Sequence, residues 1–196
     1  MSLDPAPIFA AARRMCEGHL TPRQIDGIGR LIAAWTRDHA GCDPRWFAYI
    51  LATVQHETAR SFQPIEEVGC GAGKAYGTRY YGRGLCQLTW ETNYARFGTL
   101  LGVDLLADPA RALEPGLATK ILFRGMIEGL YTGRKLAEYI AGAKCDWIAA
   151  RRIVNGLDRA ALIADYARAY SQAIGCGAKG APCSKAAPSS SSSVAA

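Results

Sequence analysis

Apolar residues recur at helical spacing through most of the chain. After Thr21-Pro22-Arg23-Gln24, the residues Ile25, Ile28, Ile32 and Trp35 fall on one stripe, the spacing of an amphipathic helix. The Thr and Gln spell a capping box, with Pro at the first helical position. Asp43-Pro44 opens the next helix in the same way, and its apolar residues Phe47, Ile50 and Val54 lead to Glu57. The pattern predicts further helices over 93–101, ended by Gly102, over 115–128, and over about 147–154 and 159–174. Asp146 and Asp158 are the expected N-caps of the last two. The fold class is therefore mainly α.

Residues 66–90 break the pattern. They hold Gly69, Gly71, Gly73, Gly77, Gly82 and Gly84 among several tyrosines. The segment reads as a long loop followed by a short hairpin or irregular ribbon. Loops of that length inside compact domains tend to be functional. After Ile174 the composition turns to Gly, Ala, Pro and a run of five serines, too poor in apolar surface to pack. The expected organisation is one domain over 1–175 and a flexible tail over 176–196.

With 196 residues, 49% of them hydrophobic and 20% charged, the chain can bury one core. Its net charge of +6 favours anionic partners such as nucleic acid, anionic envelope polymers or anionic lipid. The basic residues are scattered, so nucleic acid is not expected as a partner. Trp46 to Val54, the longest apolar run, is too short to span a bilayer, and no stable membrane insertion is expected. Met1-Ser2-Leu3-Asp4-Pro5 has neither the basic start nor the apolar run of a secretory leader, and cytoplasmic synthesis is the expectation. Seven cysteines occur without a C-x-x-C pair, and His19, His39 and His56 are far apart. Zinc spacing is absent, no metal or other cofactor is expected, and mostly reduced structural thiols are the favoured reading.

The candidate chemistry sits at the end of the second helix and in the glycine-rich segment. Ile50 and Glu57 are seven residues apart, about 20° around a helix axis. Glu57 thus extends an apolar face, where partial desolvation suits a general acid. The competing reading is a carboxylate capping nearby amides or paired with an arginine. Glu66 and Glu67 follow Pro64 in the loop, nearer solvent, where a carboxylate stays ionised and can activate water. As extended neighbours they face opposite sides, so only one need point inward. A carboxylic acid and a carboxylate across a sugar bond are the raw material of glycoside hydrolysis. Tyr81-Gly82-Arg83-Gly84 adds an aromatic ring and a cation suited to sugar faces, hydroxyls or a carboxylate. Gln87, Thr89 and Asn93 add neutral hydrogen-bonding groups. For Asn93 the alternative is to start a helix, and for Asn155-Gly156 it is to end one. His56 points roughly 100° away from Glu57 and reads as structural.

Taken in order, Leu51-Ala52-Thr53, His56-Glu57-Thr58, Gln63-Pro64-Ile65-Glu66-Glu67, Tyr81-Gly82-Arg83-Gly84, Gln87-Leu88-Thr89, Asn93-Tyr94 and Arg151-Arg152-Ile153-Val154-Asn155-Gly156 resemble glycoside hydrolase family 19. Within it they resemble the compact, chitinase-like endolysins of bacteria and phages. The resemblance implies a lysozyme-like, two-lobed α-helical domain with a small β-hairpin or irregular loop flanking the cleft. It implies inverting hydrolysis of β-1,4 bonds next to N-acetylated amino sugars, in peptidoglycan or chitin. A monomer is expected. Glu57 falls on the general acid and Glu67 on the base, with Glu66 an unusual second candidate. Thr89 falls on the residue that helps hold the attacking water. Tyr81, Gln87, Asn93 and Asn155 fall on substrate-binding positions. An endolysin made in the cytoplasm would reach the periplasm and wall through a separate permeabilising protein. A non-catalytic wall- or carbohydrate-binding protein is the reading from another class.

Overall fold

A computed structural model describes residues 3–176 of the chain; the serine-rich tail, with Cys183, lies outside the described residues. The order is α1 (Pro5–Met15), α2 (Pro22–Asp38), α3 (Pro44–Glu57), β1 (Ile65–Glu66), β2 (Arg83–Gly84) and α4 (Glu91–Leu101). A 3-10 turn (Pro109–Leu113), α5 (Pro115–Glu128), α6 (Leu136–Tyr139), β3 (Ile140–Ala141) and β4 (Lys144–Cys145) follow. A second 3-10 turn (Ala149–Ile153) and α7 (Ala160–Ala173) complete it. The mainly helical expectation is borne out. No helix among the described residues is long and apolar enough to cross a membrane.

The local signals act as their chemistry dictates. Thr21 Oγ1 accepts from the Gln24 amide at 3.3 Å, and Gln24 Oε1 accepts from the Thr21 amide at 2.7 Å. Both halves of the capping box are thus made, and two otherwise unsatisfied donors at the start of α2 are paired. Asp43 caps α3 through the Arg45 amide at 3.0 Å. Gly102 and Gly129 end α4 and α5 in the left-handed conformation, which glycine enters without a Cβ clash.

Three expectations need correction. Residues 147–154 form a 3-10 turn over Ala149–Ile153 rather than an α-helix. Asp146 still caps it, accepting from the Ala149 amide at 2.9 Å. Asp158 does not cap α7; Arg159 holds that position in a left-handed conformation with no side-chain cap bond. Asn93 does not start α4, because Trp90 is its N-cap.

The core divides in two. The larger cluster surrounds α3, whose residues from Phe47 to Gln55 are all buried. α3 packs mainly along α7. Fully burying side chains such as Phe47, Ile50, Leu51 and Val54 contributes about 1.5–3 kcal/mol each. The smaller cluster gathers Leu88, Tyr94, Phe97, Leu105, Ala112, Leu117 and Ile121. α5 serves both, giving Leu122 and Met126 to the larger and Leu117 and Ile121 to the smaller. Leu85 belongs to the larger cluster and Leu88 to the smaller. The β1–β2 ribbon, antiparallel with Glu66 opposite Arg83, therefore enters where the two clusters meet.

Candidate active site

Glu57 is the last residue of α3, and Thr58 closes the helix behind it. The Thr58 hydroxyl donates to the Val54 carbonyl at 2.7 Å and accepts from the Phe62 amide at 3.0 Å. The chain then turns through Ala59, Arg60 and Phe62, all at positive φ. Gly27 of α2 lies under this turn, where a Cβ would collide with the Phe62 carbonyl. That close packing on α2 delivers the chain into β1 and places Glu66 and Glu67.

Glu57 Oε1 accepts from Arg151 Nη1 at 2.6 Å, with side-chain exposures of 14% and 4%. Arg151 Nε donates onward to the Asp158 carbonyl at 3.1 Å. The arginine pairing weighed at Glu57 is therefore present. Cys86 and Tyr131 are hydrogen-bonded neighbours close enough to feel the Glu57 charge, and burial pushes both well above their usual pKa. Burial also lowers the pKa of half-buried His56. Asn155 is exposed; its amide bonds the Arg151 carbonyl at 3.1 Å and its Oδ1 takes the Gly156 amide at 2.8 Å.

Glu66 and Glu67 belong to different clusters. Glu66 Oε1 accepts from the Tyr81 hydroxyl at 2.7 Å, a bond that pushes the Tyr81 phenol up to about 12. Arg83 Nε is 3.5 Å from the same oxygen, within ion-pair range but not aligned as a hydrogen bond. Arg83 itself is buried, lies 3.5 Å from the Tyr81 ring centre, and donates to the Arg79 carbonyl and the Tyr94 hydroxyl at 3.0 Å each. Of the roles considered for it, the structure supplies the carboxylate partner rather than an exposed sugar contact.

Glu67 accepts from the Tyr76 hydroxyl at 2.6 Å through Oε1 and from the Gly82 amide at 3.1 Å through Oε2. These donors, Tyr76 foremost, with Lys74 further off, hold its carboxyl below the usual range. A carboxylate so held is ionised at neutral pH, the state a general base needs. Gln87 packs on Gly82, where a Cβ would run into its Oε1, and its amide reaches the Ile65 carbonyl at 3.4 Å. Thr89 is half-buried, and its carbonyl takes the Asn93 side-chain amide at 2.9 Å.

The structure thus joins Glu57 to Arg151, Glu66 to Tyr81 and Arg83, and Gln87 to the ribbon that carries Glu67, while the Asn155 side chain turns to the Gly156 amide. Two groups escaped the sequence reading of the site. Arg151 lies 94 residues from Glu57, and no local pattern links them. Tyr76 sits among glycines that gave it no periodic context. Two cavities, about 450 and about 340 Å³, lie between α2 and α5 and around the end of α4, and none of the three glutamates lines either.

The fold is mainly helical, with a short ribbon between two clusters of side chains and carboxylates on both a helix end and that ribbon. The family described as chitinase class I, glycoside hydrolase family 19, matches residues 38–122, and the resemblance to that family is borne out over this stretch, which leaves out the 151–156 motif. An endochitinase of Arabidopsis thaliana is 42% identical over 73 residues, covering 33% of this chain and 25% of its own length. An inactive chitinase-like protein of Hevea brasiliensis is 48% identical over 44 residues, covering 20% and 14%. The chain thus spans about a quarter or less of these curated relatives in the matched segments. Among solved structures, chitinase C of Streptomyces griseus superposes with a TM-score of 0.60 at 23% identity, over 87% of this chain and 77% of that one. That likeness shows the fold.

Proposed function

We propose that the chain hydrolyses β-1,4 bonds next to N-acetylated amino sugars, with Glu57 as general acid and Glu67 as general base. The observation that carries this is two carboxylates in unlike surroundings. Glu57 is mostly sunk beside a buried guanidinium, and Glu67 lies on the adjoining ribbon with two donors keeping it charged.

In the reaction, Glu67 takes a proton from water as the water oxygen attacks the anomeric carbon. The glycosidic bond breaks, and Glu57 gives its proton to the leaving oxygen. Arg151 uses Oε1 of Glu57, so the donor role falls to Oε2. The product inverts, which requires room for water between carboxyls roughly 6.5–9.5 Å apart. Glu67 is the residue that falls on the family's base position, and Glu66, paired with Tyr81 and Arg83, is assigned no proton transfer.

The polymer is chitin or peptidoglycan. The endochitinase relatives favour chitin. The net charge of +6 favours the anionic wall and the endolysin reading, in which a separate permeabilising protein admits a cytoplasmic product to the periplasm. The inactive relative keeps a non-catalytic binding protein as the reading from another class. The test is mass spectrometry of fragments from purified peptidoglycan and from chitin oligomers, with Glu57→Gln as control. New reducing ends from the wild type alone support the assignment. Binding without cleavage by both proteins would leave only the carbohydrate-binding reading.

A further inference from the structure

Trp90 breaks three local preferences at one position. It is a bulky aromatic at φ 73°, it is the N-cap of α4 with no side-chain cap bond, and it is 47% exposed. A residue such as Asn or Gly would suit that cap and that backbone better. Strain of this kind costs about 1–3 kcal/mol and persists where the surroundings hold it and a function uses it. Here the backbone is held firmly. The Trp90 amide donates to the Tyr80 carbonyl at 2.9 Å, and the Trp90 carbonyl accepts from the Asn93 and Tyr94 amides at 3.0 and 3.1 Å.

The side chain is continuous with the carboxylate site. The Trp90 and Tyr76 rings meet edge to face at 5.5 Å, and the Tyr76 hydroxyl is the donor that grips Glu67. We propose that Trp90, backed by Tyr76, is a sugar-stacking platform that seats a pyranose ring of the polymer beside Glu67. The proposal rests on the glycosidase reading above. The apolar C–H face of an N-acetylhexosamine lies on the indole, and its hydroxyls remain at the wet rim. Chain connectivity from that ring brings the neighbouring sugar bond toward the two carboxylates. Val68, almost wholly exposed on the same loop, raises a lipid surface as the competing occupant, but the Tyr76 bond to Glu67 ties the aromatic pair to the site.

The experiment is calorimetric titration of chitin hexamer and of a peptidoglycan glycan fragment into the full chain carrying Glu57→Gln, which leaves Trp90 in place. Adding Trp90→Ala is expected to weaken binding about five- to ten-fold, and Trp90→Phe to restore part of the loss. Trp90→Gly separates display from packing, because glycine relieves the strained φ: its Tm is expected to hold or rise while its affinity falls. Vesicles of anionic lipid are expected to show no binding that depends on Trp90. Unchanged saccharide affinity in Trp90→Ala overturns the platform, and if the wild type still cleaves, the glycosidase reading survives. A Tm loss in Trp90→Gly that accounts for the lost affinity, or Trp90-dependent vesicle binding with saccharide affinity unchanged, also overturns it. No saccharide binding with Trp90 intact, and no reducing ends from the wild type, overturns both.

Discussion

Replacing Arg151 by Ala removes the cation from a pair that is almost out of water. Arg151 is 4% exposed in its side chain and Glu57 is 14% exposed. The substitution deletes the 2.6 Å bond to Glu57 and the 3.1 Å bond to the Asp158 carbonyl. It leaves a carboxylate facing a cavity where the guanidinium stood. Breaking a buried pair from one side costs about 3–5 kcal/mol, and the residual exposure of Glu57 puts this site near the lower end. At about 2–4 °C per kcal/mol for a chain of this size, a loss of about 3 kcal/mol lowers Tm by about 6–12 °C. Circular dichroism melts at neutral pH measure it. The double variant with Glu57→Gln separates the ionic pairing from the cavity: coupling of at least about 1 kcal/mol is expected between the two sites. A Tm within about 2 °C of wild type, with additive single effects, would refute the reasoning.

Other outcomes follow from the same geometry. Glu67→Gln lowers kcat by about a hundred-fold or more, whereas Glu66→Gln retains most activity, since its amide oxygen still accepts from Tyr81 and only the charge facing Arg83 is lost; the reverse ranking in a reducing-end assay would transfer the base role to Glu66. Tyr76→Phe removes the main cause of the lowered Glu67 pKa, so the acid limb of the kcat/KM profile moves to higher pH. The sign is that of a depressed carboxyl: the contribution to stability is present above the unfolded pKa and lost as pH falls through the folded one. His39 lies against Trp35 and Phe123 at 5.5 and 5.1 Å, and burial lowers its pKa from 6.5. Its neutral form therefore stabilises the fold above that value, and His39→Gln flattens the loss of Tm between about pH 7 and pH 5. Gly125→Ala places a Cβ into the Tyr131 ring; overpacking costs about 1–3 kcal/mol and disturbs the Cys86 side of Glu57, read as a fall in both Tm and kcat.

Much of the fold could be read where short-range chemistry decides it. The Thr21–Gln24 box, the Asp43 cap and the glycines at 102 and 129 mark helix ends with groups that act within one turn. α1 carries the same kind of signal in Asp4-Pro5, with Asp4 accepting from the Ala6 amide at 3.0 Å, but its short apolar stripe is a weaker mark than those of α2 and α3. The second 3-10 turn and an α-helix share the same opening signal, since Asp146 caps either. The start of α4 was hidden because Trp90 defies cap preference. At the site, the placement of Glu57 on a helix end and of Glu66 and Glu67 on opposite faces follows from periodicity. Arg151 and Tyr76 do not, because their pairing with Glu57 and Glu67 is made by tertiary packing.

The stereochemistry of the first product tests the paired-carboxylate account most directly. Proton NMR of a chitin oligomer, followed within the first minutes of cleavage and before mutarotation, distinguishes the two anomers. Glu57 and Glu67 acting across a bound water predict that the α-anomer appears first from the β-linked substrate. Initial release of the β-anomer would contradict it, since that outcome requires retention through a second displacement or a bound intermediate.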